Sequence, residues 1–325
     1  MHPFSYLEAD SAEAAIRAAG RQSGAVFFAG GTTLLDLMKL DVMTPATLID
    51  INRLPLSSIE TGGDGVTIGA NVRNSDLAHH PAIRERFPVL TEALLAGASA
   101  QLRNMASTGG NLMQRTRCAY FRDLNSNCNK REPGSGCDAL TGINRMHALL
   151  GTSAHCVATH ASDMCVALIA LDAVVHTLQQ NGTRREIPLT GFYLLPGDTP
   201  ERETVLQQGE LITHVHVPDD PVGRRSHYLK VRDRSSYEFA LTSAAVALET
   251  QGSTIVDARV ALGGVGTIPW RSPEAENALK GKPAERGTFQ AAADAALAGA
   301  RPLQHNAFKI ELAKRTLVLA LTEIL

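Results

Sequence analysis

The sequence predicts an α+β protein in two parts: an α/β amino-terminal domain and a smaller α+β carboxy-terminal domain. Three observations carry this expectation. The first fifty residues alternate strand, helix and strand; "VVHTLQQNGTRREIPL" reads as two strands around an Asn181-Gly182 turn; and the composition resets after Pro218-Asp219-Asp220, which puts a boundary near residue 222. A chain of 325 residues has room for two or three subdomains with cores of their own.

Taken in order, "SAEAAIRAAG" has the spacing of a short amphipathic helix, with Asp10 or Ser11 as its N-cap. "AVFFAGGTTLLDLMKL" reads strand, glycine turn, helix, and "ATLIDI" comes next as a second buried strand, completing a βαβ unit. "GVTIGANV" is another strand, and "AIRERFPVLTEALLAGAS" is helical but broken at Pro88. From about Thr108 to Ser162 the chain is rich in Gly, Asn, Arg and Ser and has little apolar periodicity. A loop of that length inside a compact domain needs a source of order. Regular structure resumes with "SDMCVALIALDAVV", a helix and then a strand. Beyond the boundary, "RSHYLKVRDR", "ALTSAAVALET" and "STIVDARVALGGVG" supply strands, while "TFQAAADAALAGA" and "NAFKIELAKRTLVLALTEIL" supply helices. There are no internal repeats or low-complexity tracts.

Composition excludes several function classes. The chain is 44% hydrophobic and 20% charged with a net charge of -2, which gives no electrostatic case for nucleic acid or an anionic membrane. At 5% the aromatic residues are too few and too scattered for a base-stacking platform. No run reaches the roughly 18 apolar residues of a membrane span, so no membrane insertion is expected. The start "MHPFSYLEADSAEAAIRAAG" lacks the pattern of a signal peptide, and on its own the chain is expected to stay in the cytoplasm. Five cysteines do not make a disulfide scaffold, and an odd number argues against complete pairing.

Three constellations remain. In "FFAGGTTLL" (Phe27–Leu35) a strand runs into Gly30-Gly31 and then two hydroxyl residues; the amides of such a turn favour an anion such as a pyrophosphate. A plain strand-to-helix turn capped by Thr32 is the competing reading. "NMASTGGNL" (Asn104–Leu112) repeats the Gly-Gly pattern, and two such turns favour a shared dinucleotide. Neither is a G-x-G-x-x-G or a Walker loop. The third is a set of thiols: Cys118, Cys128, Cys137 and Cys156, separated by nine, eight and eighteen residues. No C-x-x-C occurs, yet four thiolates can hold a metal from a folded-back loop and supply the order that its apolar content cannot. Arg115, Arg117, Arg122, Lys130 and Arg131 are expected to offset part of the negative charge. Zinc, disulfides and an iron–sulfur cluster all stay open on spacing alone. Cys165 lies at an apolar helix position and is expected to pack in the core. His79-His80 and His214-x-His216 carry no recognised ligand pattern, and neither H-E-x-x-H nor G-x-S-x-G occurs. "THASD" (Thr159–Asp163) lacks a nucleophile.

The ordered set "FAGGTTLLDLMK", "LIDINRL", "TIGANV", "QLRNMASTGGNL", "SDMCVALIALDA", "GELITHVHVP" and "YLKVRDR" resembles the FAD-binding (medium) subunits of the molybdenum hydroxylases, the xanthine dehydrogenase and carbon monoxide dehydrogenase group. The resemblance implies a two-subdomain FAD-binding α/β domain of the vanillyl-alcohol-oxidase/PCMH type over residues 1–221 (subdomains about 1–57 and 58–221). A carbon monoxide dehydrogenase flavoprotein-type α+β domain would cover 222–325. It implies that Phe27, Phe28, Ala29, Gly30, Gly31, Thr32, Thr33 and Leu34 wrap the FAD pyrophosphate. Ser107, Thr108, Gly109, Gly110 and Asn111 would complete the cleft, Asp163 would hydrogen-bond the cofactor, and Leu211, Ile212 and Lys230 would lie near the flavin ring. Relatives mostly cross from Asn111 to Asp163 by a short connection; here fifty-one residues intervene. An insertion over about 112–160 resembles the branch of the periplasmic aldehyde oxidoreductase flavoprotein subunits, which carry an extra [4Fe–4S] cluster. The resemblance thus implies Cys118, Cys128, Cys137 and Cys156 as cluster ligands, with Cys165 left out.

The same resemblance implies an electron-transfer subunit working through FAD, with substrate oxidation elsewhere and no catalytic residue assigned on this chain. A large partner subunit would hold the molybdenum cofactor and oxidise an aldehyde. A small partner would hold [2Fe–2S] clusters and pass electrons to FAD and on to an external acceptor, the three subunits forming a heterotrimer. Export with a signal-bearing partner would make it periplasmic; the alternative is cytoplasmic. Rival readings are a 4-hydroxybenzoyl-CoA reductase-like or other molybdenum hydroxylase subunit, a stand-alone flavin oxidoreductase, and a zinc-stabilised binding module.

Overall fold

The computed structural model describes residues 1–325. The chain opens with β1 (Ser5–Glu8), α1 (Ala12–Arg21), β2 (Ala25–Phe28), α2 (Leu34–Lys39) and β3 (Thr47–Asp50), and the three strands form a parallel sheet in the order β1-β3-β2. Ser11 caps α1 by accepting from the Ala14 amide at 3.2 Å, with Glu13 in the first turn where the helix dipole favours it. Ala15, Ile16 and Ala19 of α1 pack on Ile49, Ile51, Leu54 and Leu56.

A second sheet is built from β4 (Ile59–Thr61), β5 (Gly65–Gly69), β6 (Val174–Leu178), β7 (Arg184–Pro188) and β8 (Leu211–Pro218); it is antiparallel in the order β4-β5-β8-β6-β7. The β6-β7 hairpin closes through the Gln179 amide on the Thr183 carbonyl, with Gly182 at φ 83° supplying the left-handed residue. Between β5 and β6 come α3 (Asn74–His79), α4 (Pro81–Arg86), α5 (Pro88–Ala96), α6 (Ala100–Met105), α7 (Thr108–Leu112), α8 (Ala119–Arg122) and α9 (Asp163–Ala170). α4 stops at Phe87 because Pro88 has no amide to continue it and instead starts α5. α9 is buried from Met164 to Ala170, a helix apolar all round, as core helices are.

The last part is an antiparallel sheet in the order β12-β11-β10-β9: β9 (Ser226–Val231), β10 (Thr242–Gln251), β11 (Thr254–Gly263) and β12 (Trp270–Arg271). Its one face packs on α10 (Pro273–Leu279), α11 (Arg286–Leu297) and α12 (Phe308–Glu323); its other face, through Tyr228, Ala245 and Ala261, joins the core of α5 and α9. β10 is therefore buried on both faces from Thr242 to Leu248. No helix is long and apolar enough to cross a membrane. Neither α6 nor α10 is legible as apolar periodicity: both are short, and each rests on a serine cap, Ser99 and Ser272.

From Met113 to Ser162 the only regular elements are α8 and a 3₁₀ turn at Asp138–Leu140. This segment is nonetheless anchored. Lys309 on α12, fully buried, donates to the His147 carbonyl at 2.9 Å and the Gly264 carbonyl at 2.6 Å, and burial lowers its pKa to about 7. Asn306 adds bonds to the His147 and Ala148 carbonyls.

Candidate functional site: a large cavity beside a cysteine pocket

A cavity of about 590 Å³ opens between the parallel sheet, α7 and the start of β8. Its wall includes Phe27, Ala29, Gly30, Gly31, Thr32, Thr33, Leu34, Ser107, Gly109, Gly110, Leu211 and Ile212. The structure thus brings most of the expected cofactor residues to one place. Phe28, Thr108 and Asn111 stand behind the wall: Thr108 is fully buried and donates to the Val72 carbonyl, and Asn111 ties Asn74 to Ser162.

The two Gly-Gly turns differ in chemistry. In the first, the amides of Gly30 through Leu34 donate to no carbonyl and no side chain of the chain, so consecutive N–H groups are free for an anion. Thr32 does not cap α2. Thr33 takes the cap position without a side-chain bond to the helix, because its hydroxyl accepts from Arg117 at 3.2 Å. In the second turn the amides of Thr108 and Gly109 serve the Val72 and Ala70 carbonyls, and that of Gly110 serves the Ser107 hydroxyl. The second turn's amides are spent inside the fold, while those of the first are available to an anion.

The two turns touch backbone to backbone. A Cβ built on Gly30 falls 1.9 Å from the Met105 carbonyl oxygen. Gly31 has φ +70°, a conformation side chains rarely adopt. Arg73 and Asn52 brace this junction: Arg73 donates to the Met105 carbonyl at 2.6 Å and to Asn52 Oδ1 at 2.9 Å, and Asn52 donates to the Ala29 carbonyl at 3.0 Å. Sequence reasoning missed this pair, although Asn52 stands inside "LIDINRL".

A second cavity of about 510 Å³ meets the first at Thr159 and His160, and Asp163 lines it. Lys230 does not reach either cavity. It lies behind Asp163, its Nζ 2.8 Å from Oδ2 and bonded to the Ala96 carbonyl, with 3% of the side chain exposed. The Tyr228 hydroxyl donates to Asp163 Oδ1 at 2.6 Å; burial first, and then the carboxylate, hold its pKa well above 10, so it keeps its proton.

The four thiols expected as ligands line one small cavity together with Lys130 and Phe121. Cys156 also faces the first cavity, and Cys118 also faces the second one. Cys118 Sγ lies 3.1 Å from His147 Nε2. Burial pushes the Cys118 thiol up to about 12 and also raises Cys137 and Cys156, the last opposed by the Lys130 charge. The cations of the loop do not chiefly face sulfur. Arg117 and Arg122 bind Asp36, Arg115 and Lys130 bind Glu203, and Arg131 donates to the carbonyls of Tyr120, Phe121 and Ser126. Carboxylates and carbonyls give guanidinium groups better partners than neutral thiols do. Cys165 is a fully buried residue of α9, 3.0 Å from the Tyr193 hydroxyl, and does not line the pocket of the other four.

Comparison with known proteins decides the family. Residues 2–220 match the model of the FAD binding domain in molybdopterin dehydrogenase, and residues 227–324 match the CO dehydrogenase flavoprotein C-terminal domain. The chain belongs to the FAD-binding medium subunits of the molybdenum hydroxylase family. It is 52% identical over 324 residues to the aldehyde oxidoreductase FAD-binding subunit PaoB of Escherichia coli (strain K12), covering 99% of this chain and 98% of that one. It is 30% identical over 283 residues to the carbon monoxide dehydrogenase medium chain of Hydrogenophaga pseudoflava, covering 87% and 81%. A solved structure of carbon monoxide dehydrogenase from the same organism, lacking the Mo-pyranopterin moiety, superposes with a TM-score of 0.77 at 29% identity over 99% of this chain and 98% of that chain. As a medium subunit it is the FAD-binding part of a multi-subunit oxidoreductase.

Proposed function

We propose that the chain is the electron-transfer subunit of a molybdenum-dependent aldehyde oxidoreductase, holding FAD in the 590 Å³ cavity and a [4Fe–4S] cluster on Cys118, Cys128, Cys137 and Cys156. The observation that carries the reading is the gathering of these four thiols, and no fifth, around one cavity whose member Cys156 also faces the flavin cavity. The likeness to a subunit named as an aldehyde oxidoreductase supports the substrate class. The cavity itself is only about 10 Å³, so the fit rests on the donor set and its convergence rather than on vacant volume. No three His, Cys, Asp or Glu side chains gather as they would for a single metal ion. One zinc needs its sulfurs at about 2.3 Å from a common centre, whereas a four-iron cluster spreads its thiolates over separate irons; metal analysis separates the two.

When bound, FAD exchanges electrons singly or in pairs and the cluster exchanges them singly. The chain's own residues do the rest. Gly30–Leu34 hold the pyrophosphate by their amides, and Ser107, Gly109 and Gly110 close the cleft. Leu211 and Ile212 give the flavin an apolar surface, and Lys230 fixes the Asp163 carboxylate that faces the second cavity. Electrons enter from a small [2Fe–2S] subunit served by a molybdenum-cofactor large subunit and leave to an external acceptor. The same reading places the heterotrimer in the periplasm, carried by a signal-bearing partner; cell fractionation tests this.

Purified complex is expected to show flavin absorption and, on this chain, about four irons and four sulfides. Cys→Ser at 118, 128, 137 or 156 should remove that iron, while Cys165→Ser should keep it. Retention of iron in any of the four variants, or stoichiometric zinc in the parent chain, would overturn the cluster.

A further inference from the structure

We infer that Asp36 is a positioning residue that couples the order of the cysteine loop to the affinity of the flavin cavity, so that loop assembly and FAD binding reinforce each other. Asp36 lies on α2, two residues beyond the run of free amides. Its Oδ2 accepts from Arg117 at 3.0 Å and from Arg122 at 2.6 Å, and its Oδ1 accepts from Arg122 at 3.0 Å. These two arginines bracket Cys118, one residue before it and four after. Arg117 reaches further, onto the Thr33 hydroxyl at 3.2 Å, and so ties the loop to the anion turn itself.

Packing runs along the same seam. Leu37 of α2, Phe121 and Cys128 are buried together, flanked by Val42, Met43 and Cys118. Leu37 and Met38 are the only residues α2 buries, and its cap residue gives it no side-chain bond. α2 is therefore poorly held from its own side and depends on the loop for part of its core. The loop, poor in apolar residues, depends on α2 in return. A far seam repeats the arrangement, with Arg115 and Lys130 converging on Glu203, which lines the same large cavity as Cys156.

An isolated exposed ion pair contributes little. This one differs in being bidentate, shared by two arginines and continuous with a buried apolar cluster. Whatever free energy the loop's order contributes to FAD binding, bound FAD returns to the loop, because coupling between binding events is reciprocal. Only the identity of the ordering agent rests on the [4Fe–4S] reading; the clamp on the flavin side does not.

The test uses the full complex. After removal of flavin, FAD is titrated back by quenching of its fluorescence, and iron is measured in parallel. Asp36→Asn is expected to raise the FAD Kd about tenfold, within the usual range of coupling energies, and to lower bound iron; Asp36→Glu should restore most of both. In a Cys137→Ser background, where the loop is already released, Asp36→Asn should add less than about twofold, the non-additivity of residues in one network. Arg122→Gln, which removes the same contact from the loop side, replaces Asp36→Asn if that variant does not fold. An unchanged FAD Kd in the folded variants overturns the inference, and so does a full tenfold loss persisting in the Cys137→Ser background. If the parent complex holds no iron, the cluster reading falls, and the FAD Kd of Arg122→Gln against parent still decides the clamp: unchanged affinity sinks it.

Discussion

Gly30→Ala is expected to release FAD and to destabilise the chain by about 3 kcal/mol or more, the upper range for forcing a methyl into a packed site. The added Cβ would stand 1.9 Å from the Met105 carbonyl oxygen and 2.7 Å from its carbon. Both are backbone, and that backbone is pinned by Arg73 and leads at once into α7. The collision has no rotamer that relieves it. One Gly-Gly turn must retreat from the other, and the cleft between them is the cofactor cavity. Two other glycines calibrate the result. Gly31→Ala meets the ring of Phe28 and the tip of Leu35, which can shift, and suffers mainly from its φ of +70°, a strain of roughly 1–2 kcal/mol. Gly63 has nothing within 4 Å, and its alanine variant should keep parent stability and flavin. Urea unfolding and the flavin-to-protein absorbance ratio measure the series. Parent-like flavin content in Gly30→Ala would mean that the two turns do not need to touch.

Much of this fold is written locally. Ser11 before an alanine-rich run, Pro88 between two apolar runs and Asn181-Gly182 between two strands each act within a few residues, and each holds in the structure where local chemistry puts it. The candidate site is legible where backbone chemistry makes it so: Gly-Gly turns are rare enough to notice, and four cysteines in a polar loop ask for an explanation. What the sequence hides is pairing across distance. Nothing near Lys230 says that its partner is Asp163, sixty-seven residues earlier, and nothing near Arg117 says that it crosses to Asp36 and Thr33. The five loop cations read as counter-charges for thiolates because they are neighbours in sequence; three-dimensional packing gives them carboxylates and carbonyls. Thr32 fails as a cap for a related reason. A hydroxyl beside a helix start reads as a cap, yet the actual cap residue spends its hydroxyl on an arginine from the cysteine loop.

The second large effect belongs to Lys230. Its side chain is 3% exposed and that of the facing Asp163 10%, so Lys230→Met leaves a nearly buried carboxylate with the Tyr228 hydroxyl as its side-chain donor. Breaking a buried pair from one side costs about 3–5 kcal/mol, because the remaining charge keeps its desolvation penalty and loses its compensation. Removing both charges costs much less. The double variant Asp163→Asn with Lys230→Met should therefore recover all but about 1–2 kcal/mol of the loss, as expected for charge pairs replaced together by neutral groups. Urea unfolding of the three chains reads this directly, and flavin content separates two roles for the lysine. If Lys230 acts by fixing Asp163, the stability loss and the flavin loss appear together in Lys230→Met. A chain that keeps its stability and loses only flavin would mean that the ammonium touches the cofactor itself. A loss below about 1 kcal/mol, the scale of solvated pairs, with flavin retained, would mean that water in the second cavity solvates Asp163 and that the lysine is dispensable to both.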